Sequence, residues 1–90
     1  MRRVVITGLG TVNPLGASFD ESWQSILRSQ SGAGRIMSFD VSDLPCQVAC
    51  HVPDSFNADD WVEPKDQKRS DTFSIYCIAA ATMALQESGL

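Results

Sequence analysis

No apolar run in these 90 residues approaches the roughly 18 to 20 that a helix needs to cross a bilayer. The N-terminus lacks the apolar core and small-residue cleavage site of a secretory signal. Basic residues are scarce: 7 Lys and Arg stand against 11 Asp and Glu, a formal net charge of -4. That balance removes the global attraction by which nucleic acid or an anionic membrane surface is bound. Cysteine is sparse as well. Cys46, Cys50 and Cys77 are an odd number and too few for a disulfide framework, in keeping with a reducing compartment. These absences describe a cytoplasmic protein with no nucleic-acid or membrane partner. There are no internal repeats or low-complexity tracts, and 43% hydrophobic content supports one small unit near the size at which a core is only marginal. Residues 1–90 are read as one piece without an internal boundary.

What is present reads as α/β. Val4, Val5, Ile6 and Thr7 form a β-branched run apolar on both sides, the pattern of a strand covered on both faces. Gly8, Gly10, Asn13, Pro14 and Gly16 then punctuate a long turn. Ser18 and Glu21 make a capping box that opens a helix, with Trp23, Ile26 and Leu27 on one stripe and a stop at Ser31 and Gly32. "SGAGRIMSFDVSDLP" is read as loop with apolar anchors at Ile36, Met37, Phe39 and Leu44, and "QVACHV" as a short strand. Pro64 suits the first position of another helix. "DTFSIYCIAAATMALQES" is a helix apolar on nearly every side, closed by a Schellman-type end in which Gly89 turns left-handed and Leu90 folds back. A both-faced strand and an all-round apolar helix cannot both be covered by the remaining residues, so the sequence is expected to stop before its own partners appear.

The strand followed by Gly8-x-Gly10 invites a dinucleotide reading, in which backbone amides and a helix N-terminus face a pyrophosphate. The spacing opposes it. A third glycine is due at position 13, where Asn stands, and Gly16 comes three residues late. The glycines are therefore read as serving a tight turn and close packing, with no cofactor. Cys46-x-x-x-Cys50-His51 invites a metal reading, yet on a strand Cys50 and His51 point to opposite faces and the two thiols lie about 13 Å apart. No metal is assigned, and the cysteines are read as buried or half-buried structural residues. Trp23 and Trp61 read as packing anchors and Asp71 as a helix-start or ion-pair residue. In "KDQKR", Lys65, Lys68 and Arg69 recur at i, i+3, i+4, so a helix gathers them on one face while Asp66 points elsewhere. Spacing alone makes this a solvated charged face.

"RRVVITGLGTVNPLG", "SWQSILRSQSG", "FD" and "KDQKRSDTFSIYCIAAATMALQESGL" together resemble the opening segment of a β-ketoacyl-acyl-carrier-protein synthase, above all the type II elongating enzyme of bacterial fatty-acid synthesis. The likeness runs from Arg2 to Leu90. Its two ends are specific and its middle, 33–62, adds little. The resemblance implies the opening segment of a thiolase-like α/β/α/β/α layered fold, incomplete on its own. It implies a homodimeric acyltransferase that condenses an acyl thioester with malonyl held on acyl carrier protein, through a cysteine thiolate, oxyanion donors and histidines. In the family those residues lie beyond this segment, so Cys46, Cys50, Cys77 and His51 receive no catalytic role and the 90 residues alone are expected to be inactive. The positions of Lys65, Lys68 and Arg69 match family positions that contact the acidic helix of the carrier protein. The resemblance thus turns a charged face into a docking patch. Ser70 departs from the bulky apolar residue common there, which bears on packing rather than charge. The same opening is shared by non-catalytic chain-length-factor subunits and by polyketide ketosynthases, which stand as the alternatives.

Overall fold

Helix α1 (Phe19–Leu27) begins where Ser18, in an extended conformation, accepts the Glu21 amide on its side-chain oxygen at 3.3 Å. The return arm of the capping box lands one residue early, since the Glu21 carboxylate accepts from the Ala17 amide at 2.9 Å. Asp20 and Glu21 also face the positive end of the helix. The helix stops sooner than its sequence predicts. Ser29 takes φ 57°, its amide donates to Ile26, and the Gln30 amide donates to Ser25. This is the Schellman pattern, built on a non-glycine residue ahead of Ser31 and Gly32.

The computed structural model describes residues 1–90, and in it the predicted loop 32–46 contributes a strand. β1 (Ala33–Arg35) pairs antiparallel with β2 (Val48–Cys50), with Ala33 opposite Cys50 and Arg35 opposite Val48. Ala-Gly-Arg has no β-branched residue to announce a strand; it is extended because β2, which the alternation did predict, offers it a ladder. The reverse holds at residues 4–7, where the expected strand has no partner and forms no sheet. Val4, Val5 and Ile6 are 94%, 73% and 82% exposed.

A 3₁₀ turn (Ala58–Asp60), the short α2 (Pro64–Gln67) and the long α3 (Thr72–Ser88) follow. Pro64 occupies the first turn of α2, where a missing amide hydrogen costs nothing. α3 ends at Gly89 with φ 79°. The rest of the predicted end is absent: the Leu90 amide meets the Ser88 hydroxyl at 3.4 Å and Leu90 is 95% exposed.

Glycines 8 and 10 are resolved as packing residues. Neither has positive φ. A side-chain carbon at Gly8 would collide with the carbonyl oxygen of Ala84, and one at Gly10 with that of Ala80. The extended segment thus lies directly on the backbone of α3, and the Leu9 amide donates to the Glu87 carboxylate at 3.2 Å. The tight turn falls later, at residues 13–16, where Asn13 and Gly16 exchange backbone hydrogen bonds of 3.0 and 3.1 Å. The Asn13 amide group donates to Thr11 and to buried Ser22, both at 2.9 Å, while its oxygen accepts the Leu15 amide. Ser25 ties α1 to the same turn through the Leu15 carbonyl.

These contacts position elements without enclosing a core. Only five of 90 residues are buried, and Val41, Val62 and Ala79 are the buried apolar side chains. The accessible surface is 7157 Å², against about 5,200 Å² for a compact chain of this mass. The radius of gyration is 16.0 Å, against about 12 Å. Trp23, Ile26 and Leu27 are about half exposed on α1, and Phe73 and Leu85 are exposed on α3. The anchors expected in the loop behave likewise, with Met37 81% and Phe39 58% exposed. No helix is long and apolar enough to cross a membrane.

Candidate functional site

The three clustered basic residues lie on the segment that joins the 3₁₀ turn to α3. Asn57 starts this segment by accepting the Asp59 amide on its side chain at 3.0 Å. Val62 is buried, Glu63 leads into α2, and the amides of Asp66 and Gln67 both return to the Glu63 carbonyl. α2 is one turn long. Lys68 is its helical C-cap residue, and Arg69 continues on a tighter bond from its amide to the Asp66 carbonyl at 3.1 Å. Lys65, Lys68 and Arg69 are therefore carried on a short turn that tightens at its end, rather than along the regular helix face that their spacing predicts. All three are exposed.

An exposed cation keeps its reach only if no local anion holds it. Lys65 Nζ lies 3.9 Å from Glu63 Oε2, with both side chains mostly in solvent, a geometry of small energetic consequence. Lys68 and Arg69 form no salt bridge. Arg69 borders a shallow hollow that also touches Trp61, Val62 and Ile78. Trp61 is half buried there, consistent with its reading as a packing residue.

Gln67 was not singled out by sequence reasoning, yet it ties this turn down. Its amide group donates to Asp59 Oδ1 at 2.8 Å and to the Val62 carbonyl at 2.7 Å. The nearest sequence signal is that an amide side chain stands on the turn among charged neighbours. Its partner eight residues earlier is visible only in three dimensions. Asp71 precedes α3 as N-cap, without a side-chain capping bond.

The cysteines depart from expectation. Cys46, Cys50 and Cys77 are free and exposed. The ribbon β1–β2 has both faces open, and the Cys77 side of α3 has no element packed over it. Cys46 Sγ donates to the Val48 carbonyl at 3.4 Å. His51 is exposed and borders an open hollow with Arg35, Asp54 and Tyr76. No group of three or more His, Cys, Asp or Glu side chains comes together in a way that would hold a metal ion. Phe56 meets Tyr76 edge to face at 5.2 Å, fastening the segment before the 3₁₀ turn to α3.

The family model described as Beta-ketoacyl synthase, N-terminal domain, matches residues 1–90. The chain is 47% identical over 95 residues to 3-oxoacyl-(acyl-carrier-protein) synthase 2 of Rhizobium meliloti (strain 1021), covering 99% of this chain and 23% of that protein. The protein of the same name from Coxiella burnetii is 40% identical over 89 residues, with 21% of its length covered. Among solved structures, the ishigamide ketosynthase/chain length factor superposes with a TM-score of 0.79 at 36% identity, over 99% of this chain and 22% of that one. The chain thus spans less than a quarter of the length of these relatives.

Proposed function

Because the chain belongs to the β-ketoacyl synthase family over residues 1–90, we propose that it forms the opening segment of a 3-oxoacyl-acyl-carrier-protein synthase acting in fatty-acid elongation. The observation that carries this reading is the 47% identity to a synthase of that name across nearly the whole chain. In such an enzyme a cysteine sulfur attacks the acyl thioester and the carrier thiol leaves. Malonyl on a second carrier loses carbon dioxide, and the resulting carbanion attacks the acyl-enzyme, releasing the 3-oxoacyl product and restoring the thiol. The residues of that chemistry belong to the remainder of a cytoplasmic, homodimeric protein with a thiolase-like layered fold. The exposed faces of residues 4–6, α1 and α3 are covered there.

The part assigned to this segment is recognition. Lys65, Lys68 and Arg69 form a docking patch for the acidic carrier protein. Local positive charge in a chain of net charge -4 steers an acidic partner to one place. The test is the affinity of carrier protein for the full-length protein, with and without Lys65→Glu, Lys68→Glu and Arg69→Glu together. Loss of about tenfold or more at low salt is expected, shrinking as salt rises. Unchanged affinity at low salt would remove the patch from the mechanism.

The likeness to the ishigamide ketosynthase/chain length factor favours a second reading, a non-catalytic or polyketide-type subunit. Intact mass after incubation with an acyl thioester separates a catalytic synthase from a non-catalytic subunit. An acyl adduct on one cysteine supports the condensing enzyme, and its absence from a folded protein supports the chain-length-factor type.

A further inference from the structure

A one-turn helix has little stability of its own, because nucleation fixes several residues for a single hydrogen bond. α2 consists of four residues, Pro64–Gln67. Its position must be set by contacts outside its own backbone. The side chain of Gln67 supplies two of them: its amide nitrogen donates to Asp59 Oδ1 at 2.8 Å and to the Val62 carbonyl at 2.7 Å. Both partners are acceptors, so the amide orientation is determined and neither hydrogen is replaceable by a carboxylate. Gln67 is half buried, while Lys65, Lys68 and Arg69 around it are exposed. The only salt bridge on the segment, between Lys65 and Glu63, is solvated at both ends and does not hold the turn.

We propose that Gln67 is a positioning residue for carrier-protein docking, clamping the basic turn to the 3₁₀ turn and to Val62 so that Lys65, Lys68 and Arg69 are presented together. The inference rests on the docking reading above. Gln67 touches no partner; it acts by keeping three flexible cations in one arrangement before the carrier arrives, which removes part of the ordering cost of binding.

The experiment uses the full-length protein and compares a carrier-linked acyl substrate with a small acyl thioester lacking the carrier. Gln67→Met keeps the length and approximate volume of the side chain but has no donor. Gln67→Glu puts a third acceptor against two. Gln67→Met is expected to raise KM for the carrier-linked substrate about five- to tenfold, the effect of one or two lost net hydrogen bonds. Gln67→Glu is expected to raise it further, and both variants are expected to leave kcat and KM for the small thioester at wild-type values. Equal losses on the two substrates would make Gln67 a general support of the fold and overturn the proposal. Wild-type KM in both variants, while the triple charge reversal raises it, would overturn the positioning role alone. Wild-type KM in the triple reversal as well would remove the docking reading and this inference with it.

Discussion

Gly10 lies so close to Ala80 that any side-chain carbon at Gly10 would overlap the helix carbonyl of Ala80. Gly8 stands in the same relation to Ala84. The glycine-rich opening is thus explained by a backbone resting on a helix, and the chain needs no phosphate to account for it.

The first prediction follows directly. In the full-length protein, Gly8→Ala and Gly10→Ala must push the segment off α3, and each is expected to cost about 1–3 kcal/mol by overpacking. Gly34 has nothing within 4 Å of its added carbon, so Gly34→Ala is expected to stay within about 0.5 kcal/mol of wild type. Denaturant titration of the three variants checks the contrast. Equal stability of Gly10→Ala and Gly34→Ala would contradict the packing account.

Ser29 holds a left-handed conformation with φ 57° at the end of α1. Glycine adopts that region without a Cβ clash, although it also loses more freedom on folding. Ser29→Gly is expected to stabilise the full-length protein by up to about 1 kcal/mol. A lowered melting temperature would show that the Ser29 side chain contributes more than its strain removes.

The Asp40 carboxyl is engaged by the turn that follows it. The Ser42 amide donates to its Oδ1 at 3.0 Å, and this bond, with a smaller contribution from the Ser42 side chain, holds the carboxyl below the usual aspartate value. A lowered value in the folded state means the stabilisation is present above the unfolded pKa and lost as pH falls through the folded one. Because Asp40 is fully exposed, the effect is confined to the 40–42 turn. Carbon-13 titration is expected to find Asp40 below its unfolded reference, with Ser42→Ala returning it part of the way. A midpoint at the reference value would show that the turn does not persist in solution.

The surface of 7157 Å², well above that of a compact chain of similar mass, makes a prediction for residues 1–90 expressed alone. They are expected to be aggregated or molten, with retained far-ultraviolet helix signal, exposed apolar surface and no cooperative melt. A sharp, reversible transition of a monomer would refute this.

Much of the local structure was legible because it depends on neighbours in sequence. Ser18 with Glu21, Pro64, Asp71 and Gly89 all mark helix ends that the structure contains. What escaped depends on contacts between distant residues. Ala33–Arg35 is a strand only because Val48–Cys50 lies beside it, and residues 4–7 are unpaired despite a strong strand composition because no strand lies beside them. The three cysteines follow the same rule: burial of a small apolar thiol needs a covering layer, and exposure is what remains without one. At the candidate site, the spacing of Lys65, Lys68 and Arg69 pointed to a helix, and α2 supplies one turn of it. Gln67 was invisible for the reason Ala33–Arg35 was, since its partner Asp59 comes from another element.

The seam between residues 8–10 and α3 also measures length. Two residues of extended chain advance about 6.7 Å, and four residues of α-helix about 6.0 Å, so Gly8 over Ala84 and Gly10 over Ala80 run in step, in opposite directions. The match works like a vernier. Sliding the extended segment by one residue puts Leu9, together with Thr7 or Thr11, where the glycines meet the helix carbonyls, so its permitted positions are discrete rather than continuous. An inserted or deleted residue between positions 8 and 10 is therefore an error of phase, and no adjustment of side chains can absorb it.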